Sequence, residues 1–498
     1  MTHYPAIYSE AILPEYKGNP LIEALPKKVP DEIIIERLGF YPECNIEDLK
    51  LEPFEREEYL ARLDQLIQPL PQYLECFRMI ESAIKAGYST RNPFSPTTNF
   101  YLHYICHSQP SVTPSTGQFT PKGSGITVVG MSGVGKSKMI ERCLQLFPQV
   151  IEHASYDGKS LSMNQLVWLK VECPHDASLR GLCHSILGDI DEAMNREEPT
   201  KPATNISPLL DQIERSVKSS FIGIIVIDEM QNLNIGKSGG ADKLLSFLLN
   251  LINRCGIPIL FCGNPQMTEH FKKKFRNARR AENGGYIEME NLGHHGVWEI
   301  FCEELWDLQW TNPPTPLTPS LDIKLYERSA GVLDVAVRIY KKAQQIVIGS
   351  GDERITPEVI DEAYNITCKL TDAGLDILRR NKDRSAKSRG NIINEYDDLA
   401  LAPDEHLPHD DSYETTRNNI PQENKNRNKT KPDSIPGDLS RPQHPEFSEM
   451  IRELQHAVDL HARIIDPDLY QRAYAEENPV HYLRSKNLIC DDLLRHLE

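Results

Sequence analysis

Between residues 125 and 292, short runs of apolar, β-branched residues alternate with longer stretches whose apolar residues recur at helical spacing. This alternation predicts an α/β fold, in which a parallel sheet is covered by helices on both faces. Five runs are predicted strands: 126–129, 166–171, 222–227, 257–261 and, more weakly, 286–289. The predicted helices are 136–147, 177–195, 208–219, 242–253 and 297–306.

Helical spacing also occurs on both sides of this region. Apolar residues recur in this way over 54–70 and again beyond Pro71, which predicts a mostly helical N-terminal region behind an irregular arm. A stretch rich in Pro, Ser, Thr and Gly at 108–125 predicts a linker. A further helical block is predicted over 320–370, with Thr356 as the N-cap of a helix that begins at Pro357.

The last part of the chain has a different composition. Prolines and charged residues dominate 381–445, and large apolar residues are few, which predicts a partly disordered linker. Helical periodicity returns over 446–498, and this segment is long enough for a small helical module.

Composition and charge exclude some classes of protein. No apolar run reaches the ~18 to 20 residues that a membrane span needs, which excludes an integral membrane protein. The first residues lack the basic start and apolar stretch of a secretory signal, so we expect the protein in the cytoplasm. The chain carries 55 basic and 72 acidic residues, a net charge of −17, which argues against a uniformly basic surface for nucleic acid. Charge is nevertheless uneven, because residues 271–280 hold six basic side chains and no acid.

The most specific motif is GMSGVGKS at residues 130–137, which matches the phosphate-loop pattern GxxxxGK[ST] between a predicted strand and a predicted helix. Backbone N–H groups of such a loop surround a phosphate chain, the lysine reaches the β- and γ-phosphates, and the serine binds magnesium. The predicted nucleotide-binding residues are Gly130, Ser132, Gly133, Val134, Gly135, Lys136, Ser137 and Asp228.

Two acids end the predicted strand in FIGIIVIDE, residues 221–229. Beside a phosphate loop, Asp228 is expected to hold Mg²⁺ together with Ser137, and Glu229 to polarise the attacking water. A small-molecule kinase would not need a base directed at water, so Glu229 favours ATP hydrolysis.

Asn264 ends the next predicted strand, in IPILFCGNP at 257–265. In a P-loop ATPase a polar residue here orients the lytic water or senses the γ-phosphate. The alternative is an Asx turn before Pro265, and the sequence leaves both explanations open.

A cluster of three arginines, Arg276, Arg279 and Arg280, precedes a glycine-rich turn. An arginine that reaches a neighbouring subunit's nucleotide stabilises charge on the transferred phosphoryl group. The alternatives are a solvated helix face and a contact with nucleic-acid phosphates.

The order of the motifs along the chain resembles that of an AAA+ ATPase: a phosphate loop, a pair of acids, a polar residue at the end of a strand, an arginine cluster and a helical block. Over residues 15–380 the chain also resembles the TnsC (TniB-like) family of ATP-dependent regulators of cut-and-paste transposons. The motifs that carry this resemblance are NPLIEALP at 19–26, GYSTRNP at 87–93, FPQVI at 147–151, LVWLK at 166–170, NARR at 277–280, GVLDVAVRIY at 331–340 and DERIT at 352–356.

The resemblance implies a protein that uses ATP and Mg²⁺, assembles as a ring or filament on duplex DNA, receives a target-selection protein and activates the transposase. ATP hydrolysis would disassemble this platform and limit where insertion occurs. Asn264 would be the first sensor and Arg279 or Arg280 the arginine acting in trans. The resemblance implies an N-terminal region at 1–120, an AAA+ core at 121–315 and a helical lid at 316–380, to which composition and periodicity add the linker at 381–445 and the C-terminal module at 446–498.

The chain departs from the general AAA+ pattern at the second sensor, which often has the form GxxR. Here Asp334 stands at the arginine position; either Arg338, one turn later, substitutes for it or the role is absent. Candidate contacts to DNA phosphates are Lys159, Lys272, Lys273 and Lys274, each of which is also explained as a solubilising surface charge. The main rival function is a nucleotide-gated signalling adaptor that does not bind DNA, which the acidic net charge slightly favours.

Overall fold

The computed structural model describes residues 3–95, 98, 122–175, 178–234, 240–272 and 274–380. These residues belong to one compact unit, Met1–Pro408. The predicted linker over 381–445 and the predicted module over 446–498 lie outside the described residues, as does most of the predicted linker over 108–125.

Over its described residues, the N-terminal region consists of one short strand, four α-helices and three 3₁₀ turns. The strand is β1 (His3–Pro5), and the helices are α1 (Pro20–Glu23), α2 (Asp31–Leu38), α3 (Pro53–Tyr59) and α4 (Pro71–Ser89). The turns are Pro14–Tyr16, Ile46–Lys50 and Leu60–Gln65.

The central region contains the predicted strands and helices in the predicted order, together with two strands and two short helices that were not predicted. Its strands are β2 (Gly125–Gly130), β3 (Val150–Tyr156), β4 (Lys159–Leu166), β5 (Trp168–Glu172), β6 (Ile224–Asp228), β7 (Ile259–Gly263) and β8 (Gly285–Met289). Its helices are α5 (Lys136–Gln145), α6 (Leu179–Ala193), α7 (Ile206–Ser219), α8 (Gly240–Asn250), α9 (Met267–Lys272), α10 (Phe275–Ala281) and α11 (Val297–Asp307). A 3₁₀ turn, Met230–Asn234, follows β6, and a π-helical turn, Leu251–Cys255, extends α8.

Up to residue 380, where the described part of the chain ends, four helices follow the central region: α12 (Pro319–Ser329), α13 (Leu333–Val347), α14 (Pro357–Thr367) and α15 (Asp372–Arg380). Thr356 caps α14, since its side chain accepts a hydrogen bond from the Val359 N–H and Pro357 occupies the first turn. This part of the prediction is confirmed.

The main sheet has five parallel strands in the order β5-β6-β7-β2-β8. Its three central strands, β6, β7 and β2, are buried on both faces, and neighbouring side chains enter opposite apolar layers: Val128 belongs to the same cluster as Ile80 and Ile140, whereas Val129 belongs to the cluster that contains Leu182. Such double-sided burial explains why these three strands are nearly continuous apolar runs. The predicted fold class is confirmed, and each of these strands begins and ends within two residues of its prediction.

A second sheet, in the order β1-β3-β4, was not predicted. β3 and β4 form an antiparallel hairpin around Asp157 and Gly158, both of which have positive φ. Such a two-residue turn matches the right-handed twist of the flanking strands. The predicted strand over 166–171 is therefore divided, because Leu166 ends β4 and β5 begins at Trp168.

The N-terminal region is joined to the central region through two of the resemblance motifs. Asn19 accepts a hydrogen bond from the Leu21 N–H and donates to the Tyr88 carbonyl at 2.8 Å. The Tyr88 hydroxyl donates to the Phe221 carbonyl at 2.8 Å, and buried Arg91 donates to the Ile222 carbonyl at 2.7 Å. The motifs at 19–26 and 87–93 thus contact each other, and the second of them binds the backbone just before β6.

Candidate nucleotide-binding site

The phosphate loop, residues 130–137, connects the end of β2 to the start of α5. Gly133 and Gly135 have φ of 83° and 94°, which side-chain-bearing residues rarely adopt. At Gly130 a Cβ would lie 2.5 Å from the Met289 carbonyl oxygen, so glycine is also required by space. Val134 is buried and anchors the loop, while Ser132 is exposed. The Lys136 amine donates to the Met131 carbonyl at 2.9 Å and so lies inside the loop.

Asp228 is buried at the end of β6 and close to the loop. Burial by itself would raise its pKa, but hydrogen bonds with Cys262 and Ser137, the charge of Lys170 and the Glu229 N–H together lower it. Lys170 lies 3.3 Å from the Asp228 carboxylate and 2.6 Å from that of Glu141. Asp228 is therefore ionised at neutral pH and directly beside the Ser137 hydroxyl.

A hydroxyl and an ionised carboxylate in contact are the oxygen donors that Mg²⁺ takes in phosphate sites, usually with several waters retained. The residues present therefore fit the predicted metal. Ser137 and Asp228 would hold Mg²⁺, and the ion would neutralise phosphate charge.

Glu229 follows Asp228 in a left-handed backbone conformation, with φ of 57°. Its N–H donates to the Asp228 carboxylate at 3.0 Å, and its own carboxylate accepts a hydrogen bond from the side-chain amide of Gln231. A non-glycine residue in this region of φ carries strain, which is common at functional sites.

Asn264 lies at the end of β7, between the strands that carry the phosphate loop and the acids. Its Oδ1 accepts from the Gln266 N–H at 3.1 Å, which is the Asx turn that the sequence allowed. Its Nδ2 is buried with no hydrogen-bond partner among the described residues. An unpaired buried donor is costly, and Nδ2 is the atom that a sensor of the γ-phosphate would use.

The arginine cluster lies at the other end of the sheet. Arg280 and Ala281 contact Gly125, the first residue of β2, whereas the phosphate loop begins at Gly130, its last residue. Five residues of strand correspond to about 16 Å. Arg279 is exposed, and the pKa of Arg280 is lowered by burial and by the charges of Arg276 and Arg279. These arginines are thus on the opposite edge of the sheet from their own phosphate loop.

The candidate DNA-binding lysines occupy separate elements. Lys159 begins β4 next to the hairpin turn, and its amine lies 5.4 Å from the centre of the Phe94 ring. Lys272 ends α9 and Lys274 is the N-cap of α10; both are exposed. Lys273 lies outside the described residues.

The start of α13 lies over the phosphate loop. A Cβ at Gly133 would be 3.1 Å from the Val332 side chain and 3.9 Å from the Asp334 Cβ. Arg338, one turn further along α13, is paired with Asp334 at 2.9 Å. The position expected for the second sensor therefore holds an acid, Asp334, which lies beside the loop and pairs with Arg338.

Two residues of the site were not predicted from the sequence. Lys170 interrupts the apolar run of β5, and this break in the pattern was the one sign that it faces a charge. Gln231 lies two residues beyond the acid pair, and nothing in the local sequence separates it from an ordinary turn residue. Neither a group of three or more metal-ligating His, Cys, Asp or Glu side chains nor a helix able to cross a membrane occurs within the described ranges.

Comparison with known proteins agrees with this geometry. The family model described as the AAA domain matches residues 122–271. The core has the AAA+ P-loop fold. A search of curated protein sequences found no match.

Solved structures of similar fold include the ORC1 protein of Aeropyrum pernix in complex with DNA, at 15% identity and a TM-score of 0.35, covering 64% of this chain and 83% of that one. Another is the RuvB Holliday junction branch migration motor of Thermotoga maritima, at 13% identity and a TM-score of 0.30, covering 62% of this chain and 88% of that one. The family match covers the phosphate loop, the acid pair and Asn264, which are the residues of the candidate nucleotide-binding site.

Proposed function

We propose that the AAA+ core binds and hydrolyses ATP and that it does so as an oligomer assembled on duplex DNA. The observation that carries the hydrolysis proposal is the meeting of Lys136, Asp228, Glu229 and Asn264 at one edge of the sheet, where the Asn264 Nδ2 has no hydrogen-bond partner among the described residues. These groups come from three adjacent strands and converge because parallel strands end at the same edge.

In this proposal each side chain has a distinct task. The amine of Lys136 neutralises the β- and γ-phosphates, and Ser137 and Asp228 hold Mg²⁺. The Glu229 carboxylate accepts a proton from the attacking water, and the Asn264 amide donates to the γ-phosphate or to that water.

The arginine cluster supports assembly. An arginine on the far edge of the sheet cannot reach its own nucleotide, but in a head-to-tail row of subunits it faces the phosphate loop of the next subunit. Arg279 and Arg280 are the proposed residues acting in trans, and they would stabilise charge on the transferred phosphoryl group.

The proposed cellular role is regulation of DNA transposition, and it rests on the sequence resemblance to the TnsC family. Subunits joined by ATP would form a platform on duplex DNA that links a target-selection protein to the transposase. Lys159, Lys272, Lys273 and Lys274 are the proposed phosphate contacts, repeated once per subunit, so that weak contacts add along the assembly.

ATP turnover with and without duplex DNA tests this function directly. We expect wild-type turnover to be stimulated by duplexes of unrelated sequence, and Glu229→Gln to lower turnover by about 10²- to 10⁴-fold while it still binds ATP. Electron microscopy with duplex DNA and a slowly hydrolysed ATP analogue should show rings or filaments.

The same measurements separate the rival. A nucleotide-gated adaptor would oligomerise with ATP but would show neither DNA stimulation nor DNA inside its assemblies. An AAA+ core that bound no nucleotide would contradict both functions.

A further inference from the structure

Gln231 lies on the 3₁₀ turn after β6. Its side-chain amide contacts candidate site residues at the ends of two strands, β6 and β7. Its Nε2 donates to the Glu229 carboxylate, and its Oε1 accepts from the Asn264 backbone N–H at 3.2 Å. One amide therefore connects the proposed general base to the residue proposed to sense the γ-phosphate.

The surroundings of this amide are built to hold it. A Cβ at Gly263 would lie 2.7 Å from the Gln231 Oε1 and 3.3 Å from the Gln231 backbone nitrogen. Because glycine occupies position 263, the Gln231 side chain fits between the turn and the end of β7. The neighbouring Asn232 is fixed separately, since its amide donates to the Cys173 carbonyl at 2.9 Å.

The backbone of Glu229 is fixed independently of its side chain. Its N–H donates to Asp228 and its carbonyl accepts from the Asn232 N–H at 3.0 Å, which stabilises the left-handed conformation. The direction of the carboxylate is then set by the side-chain hydrogen bond with Gln231, which engages Oε2.

We propose that Gln231 is a positioning residue for hydrolysis, which aims the Glu229 carboxylate and couples it to the end of β7. This inference rests on the proposed ATPase function. The Gln231 amide binds both the Glu229 carboxylate and the Asn264 N–H, so contact of Asn264 with a γ-phosphate is linked through this amide to Glu229. Misplacement of a catalytic group by about 1 Å costs up to 10²-fold in rate, so loss of this amide should reduce turnover far more than ATP binding.

The test compares Gln231→Ala and Gln231→Met with the matched control Asn232→Ala, which removes a side-chain amide from the same turn without touching Glu229. Methionine keeps nearly the volume of glutamine and lacks the donor, so it separates the hydrogen bond from packing. For both Gln231 variants we expect kcat to fall about tenfold or more with KM nearly unchanged, and Asn232→Ala to stay near wild type. Thermal unfolding and binding of a fluorescent ATP analogue check that each variant folds.

A double variant decides whether Gln231 acts through Glu229. In the Glu229→Gln background, Gln231→Met should lower turnover no further, because residues that act as a unit are not additive. Full additivity, or wild-type kcat in Gln231→Met, would overturn the inference. If Gln231→Met is silent while Glu229→Gln is inactive, the inference alone fails; if wild type does not hydrolyse ATP, the proposed function fails and the inference with it.

Discussion

The amine of Lys136 lies inside the phosphate loop and donates to a loop carbonyl at 2.9 Å. The loop otherwise offers backbone N–H groups, which carry partial charges, so this amine is the full positive charge that the loop itself provides for a phosphate chain. It has no substitute within the loop.

We expect Lys136→Ala to weaken ATP binding by roughly 100-fold, since truncating one partner of a buried charge contact costs several kcal/mol. Titration of a fluorescent ATP analogue measures this. Lys138→Ala, an exposed lysine on the same helix, is the control. Wild-type affinity in Lys136→Ala would show that this loop does not hold phosphate.

Asn264 illustrates how far the sequence decides a residue's role. Its position after an apolar strand allowed an Asx turn or a phosphate sensor, and the two explanations use different atoms. The structure uses Oδ1 for the turn and leaves Nδ2 buried without a partner among the described residues. Sequence patterns do not resolve the two ends of one amide, so this distinction needed coordinates.

At the scale of elements, α13 brings a negative charge to the mouth of the phosphate loop. Asp334 lies over Gly133 and is paired with Arg338 at 2.9 Å. A nucleotide phosphate would compete with Asp334 for this guanidinium and would be repelled by the carboxylate itself.

We therefore expect Asp334→Asn to tighten ATP binding about 3- to 10-fold and Arg338→Ala to weaken it by a similar factor. Factors of this size correspond to the interaction of one partly exposed side-chain charge with the phosphates. Equilibrium titration with ATP at low and high salt is the measurement. Glu362→Gln, which removes an exposed carboxylate from α14, should change nothing. Equal affinities in all three variants would mean that α13 plays no part in sensing phosphate.

A second inter-element contact joins the N-terminal region to the helices after the core. Arg56 on α3 pairs with Glu353 through two hydrogen bonds of 2.5 and 2.7 Å, and both side chains are buried. Burial by itself would raise the pKa of Glu353, but Arg56 and the Gly349 and Asn312 N–H groups lower it to about 2.

Because the folded-state pKa of Glu353 is below its ordinary value, its contribution to stability is present above that ordinary value and is lost as pH falls toward 2. We expect Arg56→Met to lower the free energy of unfolding by about 3 kcal/mol near pH 7, since an unpaired carboxylate stays buried. Chemical unfolding of wild type and Glu353→Gln at several pH values is the check. Their difference should shrink from about pH 5 to about pH 3, and a constant difference would contradict the linkage.

The accuracy of the sequence-based prediction differs between elements for physical reasons. The central strands β6, β7 and β2 are buried on both faces, so their apolar runs are clear in the sequence, whereas β8 exposes Tyr286 and Glu288 and was predicted more weakly. The β3–β4 hairpin mixes exposed and buried residues and was missed, although Asp157-Gly158 is a strong turn pair. The Arg56–Glu353 pair spans 297 residues of sequence, and no local pattern reports a contact of that range.

At the scale of the whole molecule, the site and the arginine cluster lie on opposite edges of the sheet, which makes complementation between subunits possible. Consider an Arg279→Ala/Arg280→Ala variant and a Glu229→Gln variant, each inactive alone. In a mixed assembly, the intact ATPase site of an arginine variant subunit would face the intact arginines of a Glu229→Gln subunit.

We expect equimolar mixing to restore turnover to about a quarter of wild type if subunits assemble at random, because one junction in four is then complete. ATP turnover of the mixture against each variant alone is the measurement. Arg276→Ala, on the same helix, should be much less impaired than the double arginine variant. No gain on mixing would place these arginines outside the neighbouring site.

The separation of the two edges has a consequence for how activity depends on assembly size. In an open row of n subunits, the nucleotide at one end lacks a neighbour's arginine and the arginine at the other end lacks a nucleotide. Only n − 1 sites can therefore hydrolyse ATP. A pair of subunits then works at half capacity per chain, a long filament approaches full capacity, and a closed ring reaches it with no free end. The specific activity would thus decrease as the number of assembly ends in solution increases, because each break in a filament would inactivate one further site.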